Sequence, residues 1–382
     1  LETIREYIPG LEGRADIKMD LSQFILKPKV VLNANFTQTT LNQQPEDDSR
    51  ISGELSYKGL QIDSQLLANQ IQLKMFYPFT NTGPFSLVFD SSNWDFSRLF
   101  TMIYGKSLRH DYDSLLNASV NLKSAHGGFW ESTGTIGIRK FYLRRGNTQI
   151  QNPKLIQIDF KDGEVSFDPF EIVGDNTKIN IKGSRSSKDQ FNFNVNGRTE
   201  LGLLSFLTPF LRDMSGQLSI SAQVGGSSKR LDMLGSAFIS NGYFKAEEIP
   251  HPFENISADF LFSQSKVILN AIKGNFAGGT LTGNGNVQLN GFGDTPADLT
   301  FELTDASLRI PDGLSTRGSG RFSLSGGWFP YLLRGEYNVE SGTYTKSLGD
   351  DENQGEVKRS SFLPTQVLKT HFTPLELDLT AN

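Results

Sequence analysis

Residues 234–244 read LGSAFISNGYF: a glycine, an alternating run, a second glycine and an aromatic pair. Similar strings lie about one hundred residues to either side, STGTIGIRKFY at 132–142 and RGEYNVESGTY at 334–344. Lining up their internal glycines sets Gly134, Gly235 and Gly335 in one register. Apolar and polar residues in alternation give the period-two pattern of a strand with one buried face. A period this long implies repeated units that stack on a shared core.

The same alternation runs through most of the chain. It recurs in DIKMDLS (16–22), ISGELSYKGLQI (51–62), LIQIDF (155–160), KINIKG (178–183), FNFNVNG (191–197), GQLSISAQV (216–224), GTLTGNGNVQLNG (279–291), LTFEL (299–303) and RFSLSG (321–326). Helix-period segments are limited to WDFSRLFTMIYG (94–105) and LGLLSFLTPFLRD (201–213), the second interrupted by Pro209, which kinks or restarts a helix. The expected fold class is therefore all-β with two short helices. LGLLSFLTPFLRD is expected to pack on one end of a repeat's core, with a plug in the sheet's hollow as the competing role.

Ser, Thr, Asn, Gln and Gly fill one face of these strands, and Phe, Leu, Ile and Val the other, with 29 Phe against 3 Trp. An apolar face must be hidden by a second sheet, by the sheet's own curvature or by a ligand. The 37 glycines favour curvature, because glycine inside strands marks bulges, bends and close backbone approach. The reading is a long, strongly curved sheet. A dry core between two sheets stands beside it as the alternative.

Composition excludes several function classes. The net charge is −5, and Lys and Arg are scattered, which argues against a groove for nucleic acid that must neutralise many phosphates. The absence of cysteine removes disulfides, zinc–thiolate sites and cysteine nucleophiles. No apolar run approaches the roughly 20 residues of a membrane-spanning helix. The first residue is Leu with no signal segment before it, so the chain reads as a piece of a longer or processed protein.

Chemistry-bearing motifs are equally sparse. His110, His126, His251 and His371 stand far apart, none with a metal-ligand partner at the right spacing. Neither a nucleophile elbow nor a phosphate-binding Gly-Lys-Ser/Thr loop occurs, and the G-x-G of GGTLTGNGNVQLNG lies on a strand pattern with no helix after it. The acidic pairs Asp111/Asp113 and Glu247/Glu248 read as solvent-facing turn residues. The chain is expected to be no enzyme, with no catalytic residue, no metal site and no cofactor. Two alternatives are a polysaccharide-active β-helix enzyme and an extracellular β-rich adhesin, although adhesin stacks repeat at roughly 20 to 30 residues. A transmembrane barrel would need regular strands of about ten residues and aromatic girdles, which the pattern lacks.

The repeat extends beyond the opening strings. Asp159-Phe160 aligns with Asp259-Phe260, Val165 with Val267, Phe167 with Leu269 and Gly183 with Gly285. Approximate repeats then span 94–197, 198–305 and 306–347 of one continuous body covering 1–382. NQQPEDDSR (42–50) and 348–361 read as flexible loops, polar and poor in apolar residues. The ordered set SGQLSISAQVGG, LGSAFISNGYF, HPFENISADFLFSQSKVIL, FAGGTLTGNGNVQLNG, TRGSGRFSLSGG and LLRGEYNVESGTY resembles the TamB (translocation and assembly module) group of AsmA-like, repeating β-groove proteins. The resemblance is clearest over 197–347 and continues, weaker, back to residue 16. FTPLELDLTAN within 362–382 looks like the start of that family's carboxy-terminal module.

The resemblance implies an elongated β-sheet trough, or β-taco, with an apolar inner wall. It implies a periplasmic protein between the inner and outer membranes of a diderm bacterium, carrying phospholipids and contributing to outer-membrane biogenesis. The implied partners are phospholipid acyl chains, a TamA/BamA-type outer-membrane barrel, and the inner membrane through an amino-terminal helix. About 24 strands at roughly 4.8 Å would make such a sheet on the order of 110 Å long. An apolar lining would shelter acyl chains at about 0.8 kcal/mol per CH₂ withdrawn from water. Alternating positions nominate Ile156, Ile158, Phe160, Val165, Phe167, Ile179, Ile181, Phe191, Phe193 and Val195 as lining in the first copy. Downstream they nominate Leu218, Ile220, Phe260, Phe262, Val267, Leu269, Leu281, Val287, Leu289, Leu299, Phe301, Leu303, Phe322 and Leu324.

Overall fold

The computed structural model describes residues 11–22, 27–41, 44–80, 83–97, 112–126, 128–206, 211–227, 230–246, 250–290, 294–309, 313–327, 330–344 and 375–381. Strands dominate, and two compact units divide the chain, Leu1–Phe193 and Asn194–Asn382.

In the first unit the strands are β1 (Leu11–Ser22), β2 (Lys29–Leu41), β3 (Gln44–Glu46), β4 (Ser49–Ser56), β5 (Gly59–Leu66), β6 (Ile71–Pro78), β7 (Phe85–Trp94), β8 (Tyr112–Ser124), β9 (Thr133–Arg145), β10 (Thr148–Gln151), β11 (Ile156–Lys161), β12 (Glu164–Gly174) and β13 (Thr177–Arg185). Each long strand pairs antiparallel with its successor, in the order β1, β2, β4, β5, β6, β7, β8, β9, β11, β12, β13. Short β10 pairs with the far end of β9. Where β9 changes partner, buried Asn152 accepts from the Phe141 amide at 2.5 Å and donates to the Ile138 and Lys154 carbonyls. Its amide thus supplies the hydrogen bonds that the interrupted ladder leaves open.

Strand β14 (Phe191–Glu200) contains the division between units. The second unit continues with β15 (Leu211–Ser227), β16 (Arg230–Ala246), β17 (Phe253–Gln264), β18 (Lys266–Phe276), β19 (Gly279–Gln288), β20 (Ala297–Leu308), β21 (Leu314–Gly326), β22 (Tyr331–Tyr344) and β23 (Leu375–Ala381). Strands β15 to β22 form a ladder of antiparallel neighbours, and β23 joins β22 in parallel.

Tight turns fix the registers. Lys161 pairs with Glu164 around Asp162-Gly163, whose φ angles of 49° and 87° suit the primed turns of two-residue hairpins. Ser263 pairs with Lys266 around an equally short turn. These hairpins revise one detail of the repeat. Phe160 stands opposite Gly134 and Val165, as Phe262 stands opposite Gly235 and Val267, so the structural counterpart of Phe160 is Phe262, two residues beyond Phe260. Turn length sets pairing, and the recurring Asp-Phe pair does not.

Apolar clusters form between successive strands of one ladder. In the first unit Phe85, Leu122 and Phe160 are buried, with Leu87, Val120, Ile136, Ile158 and Val165 packed around them. In the second, Ile256, Ala277, Leu281, Leu303 and Ala306 are buried against Phe244, Phe253, Phe276, Phe301, Leu308 and Phe322. Both clusters draw on adjoining strands of one sheet and on the turns and loops between them.

The expectation of two short helices is corrected. Trp94 closes β7, and 98–105 of the first segment lie outside the described residues. The second segment holds a 3-10 turn, Leu201–Phe206, and Leu211 onward is already strand β15; residues 207–210, Pro209 included, lie outside the described residues. Leu201 is 2 % exposed, so the 3-10 turn Leu201–Phe206 buries its first apolar side chain without an α-helix. NQQPEDDSR is corrected as well: Gln44–Glu46 pairs with β2, and Ser49 and Arg50 open β4. Among its described residues Asp47, Asp48 and Arg50 are exposed and the Glu46 carboxylate is buried, while the backbone completes a ladder; residues 42 and 43 lie outside the described residues. The loop expected at 348–361 lies outside the described residues.

Candidate functional site

Directly opposed residues share a face, so register alone traces each apolar surface across the strands. In the first unit one row runs Ile62, Met75, Leu87, Leu122, Gly134, Phe160, Val165 across β5, β6, β7, β8, β9, β11 and β12. The adjacent row runs Leu73, Phe89, Val120, Ile136, Ile158, Phe167, Gly183. A bulge between Phe167 and Phe170 keeps the face continuous, so Phe170 and Ile172 oppose Ile181 and Ile179. The Phe193 ring packs against Gly183 from β14 and stacks on Phe167 with centroids 6.0 Å apart.

The second unit repeats the arrangement. Ile220, Ala237, Phe260, Leu269, Gly285, Leu299, Leu324, Leu333 and Leu377 form one row across β15 to β23. Leu218, Ile239, Ala258, Ile272, Gly283, Phe301, Phe322, Gly335 and Leu379 form the next. Phe262, Val267 and Val287 lie on the row to one side, and Leu281 and Leu303 on the row to the other.

Burial separates two populations among the nominated residues. Ile156, Phe160, Leu269, Leu281 and Leu303 are buried. The remaining ones, from Ile158, Val165, Phe167, Ile179, Ile181, Phe191, Phe193 and Val195 to Leu218, Ile220, Phe260, Phe262, Val267, Val287, Leu289, Leu299, Phe301, Phe322 and Leu324, are half-buried. A core closed by a second layer would bury most of them fully. A single layer leaves this intermediate exposure.

The nominations began at Ile156 and missed the earlier half of the first unit's face. Leu32, Ile62, Leu87, Val120 and Ile136 belong to it by register. The signal was present in the alternation of DIKMDLS and ISGELSYKGLQI. At β1 the face is open: Ile17, Met19 and Leu21 are 49 %, 57 % and 53 % exposed.

Turn-proximal ends of the faces are stopped by aromatic groups. In the first unit Phe129, from the β8–β9 loop, sets its ring edge against Phe160 at 5.4 Å and Phe85 at 6.5 Å. The neighbouring Trp130 lies under the Arg185 guanidinium at 4.7 Å, and Arg185 is held by Asp189 at 3.1 Å and by the Gly163 carbonyl at 3.0 Å. In the second unit Phe244, Phe253 and Phe276 stack with centroids 4.6 and 4.5 Å apart. His251 meets the edge of Phe276, and its Nε2 accepts the Arg309 amide at 3.0 Å. Partial burial and the nearby Arg309 charge push the His251 pKa below its usual value. Tyr337, buried on the row of Leu303, donates its hydroxyl to the Ala306 carbonyl at 2.8 Å, and burial raises its pKa.

Chemistry-bearing residues do not converge. His126 is exposed, His110 and His371 lie outside the described residues, and no group of three or more His, Asp or Glu among the described residues could hold a metal ion. No helix among the described residues is long and apolar enough to cross a membrane.

No curated protein and no solved structure matches the chain. A family model, that of the TamB C-terminal domain, matches residues 270–379, from within β18 to within β23. With the ladder of apolar rows running through those strands, this match supports assignment of the chain to the TamB/AsmA-like family.

Proposed function

We infer that the two apolar faces hold lipid acyl chains, and that the protein is a segment of an intermembrane lipid-transfer bridge. The observation that carries this reading is the half-burial of one face built from opposed Phe, Leu, Ile and Val in both units. A face of this kind withdraws acyl chains from water at about 0.8 kcal/mol per CH₂, while polar head groups remain in solvent. The family assignment and the β-sheet groove fit lipid transfer and outer-membrane biogenesis in general terms, and this reading asks no residue to do chemistry.

In this reading the segments 94–197, 198–305 and 306–347 each supply a length of wall, and the nominated residues from Ile156 to Leu324 are its lining. Similar rows of similar depth would bind a chain with similar free energy along the path, so no position becomes a trap. The working location is the periplasm of a diderm bacterium. Partners are phospholipids, a TamA/BamA-type barrel and the inner membrane.

The test is mass spectrometry of an organic extract of the purified protein, which should contain phospholipid. Phe260→Asp and Phe301→Asp, both at half-buried positions, should lower lipid occupancy several-fold while circular dichroism retains the strand signal. A lipid-free wild-type protein would overturn the reading.

A further inference from the structure

The face opposite the apolar rows of the second unit is not uniformly convex. A concave site of about 880 Å³ lies there, across β18 to β23. Its lining residues sort into three rows by register. One wall is Lys273, Thr282, Glu302, Arg321, Glu336 and Thr380. The other is Asn284, Thr300, Ser323, Arg334 and Asp378, with Asn270 and Ala271 at its β18 end, where a bulge interrupts the register. Between them Ile272, Gly283, Phe301, Phe322 and Gly335 contribute backbone as floor. Their side chains belong to the apolar face, since a Cβ on Gly283 would meet the Phe301 ring and one on Gly335 the Phe322 ring.

The result is a groove running across the strands. Six strands set its length at about 24 Å, and two residues along a strand set its walls about 7 Å apart. These dimensions suit a linear ligand. The walls carry three cations, Lys273, Arg321 and Arg334, against three carboxylates, Glu302, Glu336 and Asp378. A balanced groove attracts neither a polyanion nor a polycation.

Its polar groups interleave donors with acceptors: Arg321 with Glu302 at 2.7 Å, Arg334 with Asp378 at 3.1 Å, and hydroxyls and amides between them. Both ion pairs are solvent-exposed and so hold together weakly, leaving their charged groups available to a ligand. A peptide would gain little here. Strands β18 to β22 are paired on both sides, so the floor has no free backbone to form a ladder with an incoming chain. A ligand read by side chains alone, narrow, uncharged and with groups that both donate and accept, is a chain of sugars.

We propose that this groove binds a linear, uncharged polysaccharide, independently of any lipid on the opposite face. The probes are cellohexaose and hexa-N-acetylchitohexaose, both uncharged, with saturation-transfer NMR and calorimetry on the whole chain. At least one hexasaccharide should bind the wild type. Glu302→Ala combined with Arg321→Ala, which removes one donor–acceptor pair and keeps the charge balance, should weaken binding about tenfold or more. Thr300→Val with Ser323→Ala provides a second, uncharged alteration of the other wall, with the same direction of effect. Lipid content should stay unchanged in both. Absence of binding to either sugar overturns the proposal, as does unaltered affinity in both double variants. Binding of an alternating Glu-Lys peptide in preference to the sugars would replace it with a peptide site.

Discussion

The two units carry their aromatic stoppers at opposite edges of the apolar face, the first at the edge of Phe160 and the second at the edge away from Phe262, the counterpart of Phe160, and they build them differently. In the first, the stopper is borrowed from a loop: Phe129 drops onto Phe85 and Phe160, with Trp130 and Arg185 behind it. In the second, the stopper is written into the strands, as the Phe244–Phe253–Phe276 stack arises from cross-strand pairs of β16, β17 and β18. A loop plug adds an aromatic group where register provides none, at the entropic cost of ordering that loop. A strand-borne stack comes with the sheet. The contrast teaches that the shared element is the curved ladder and its glycines, whereas the closure at its end is local.

The shared element should be the more fragile. Gly134 and Gly235 both have left-handed φ, 145° and 138°, and a Cβ would stand 1.9 Å from the Asn121 carbonyl oxygen and 2.1 Å from that of Ser221. Gly134→Ala and Gly235→Ala should each cost about 3 kcal/mol in urea unfolding, because backbone must move and the φ is strained. Gly335→Ala meets a Phe322 ring carbon at 2.3 Å and the Arg321 carbonyl oxygen at 2.6 Å, but its φ is not left-handed, so it should cost about 1 kcal/mol less. Equal costs at all three positions would break the distinction.

A smaller effect is expected at the stoppers. Phe129→Ala should destabilise the first unit by about 2 kcal/mol, less than a fully buried Phe would, because Phe129 is only half-buried. Limited proteolysis should then cut first in the β8–β9 loop and leave the second unit intact. Simultaneous loss of both units would show that their stability is coupled.

The smallest effect is a pH dependence confined to the second stopper. His251 has a folded pKa below the ordinary imidazole value of 6.5, so the unfolded chain binds a proton more readily. Its contribution is fully present above pH 6.5 and is lost as pH falls from there through the lowered folded value. Protonated Nε2 cannot accept the Arg309 amide. Denaturant midpoints should therefore fall between about pH 8 and about pH 5 more in the wild type than in His251→Gln.

Much of this was legible in the chain. Alternation located DIKMDLS, LIQIDF and LTFEL as strands, and it assigned Phe301 and Leu303 to one face because side chains on a strand alternate whatever its partner. LGSAFISNGYF also announced a glycine at a repeating position. Tertiary structure decided what local period cannot encode. It made Leu201–Phe206 a 3-10 turn and Leu211 the start of a strand, and it paired Phe262, not Phe260, with the repeat's glycine. It also brought Phe129 from a loop onto Phe160. Arg334 and Asp378, far apart in sequence, came together on a parallel strand. Period records which face a residue takes, a property of its neighbours in sequence. Register, curvature and closure depend on which strands meet, and distant residues determine that.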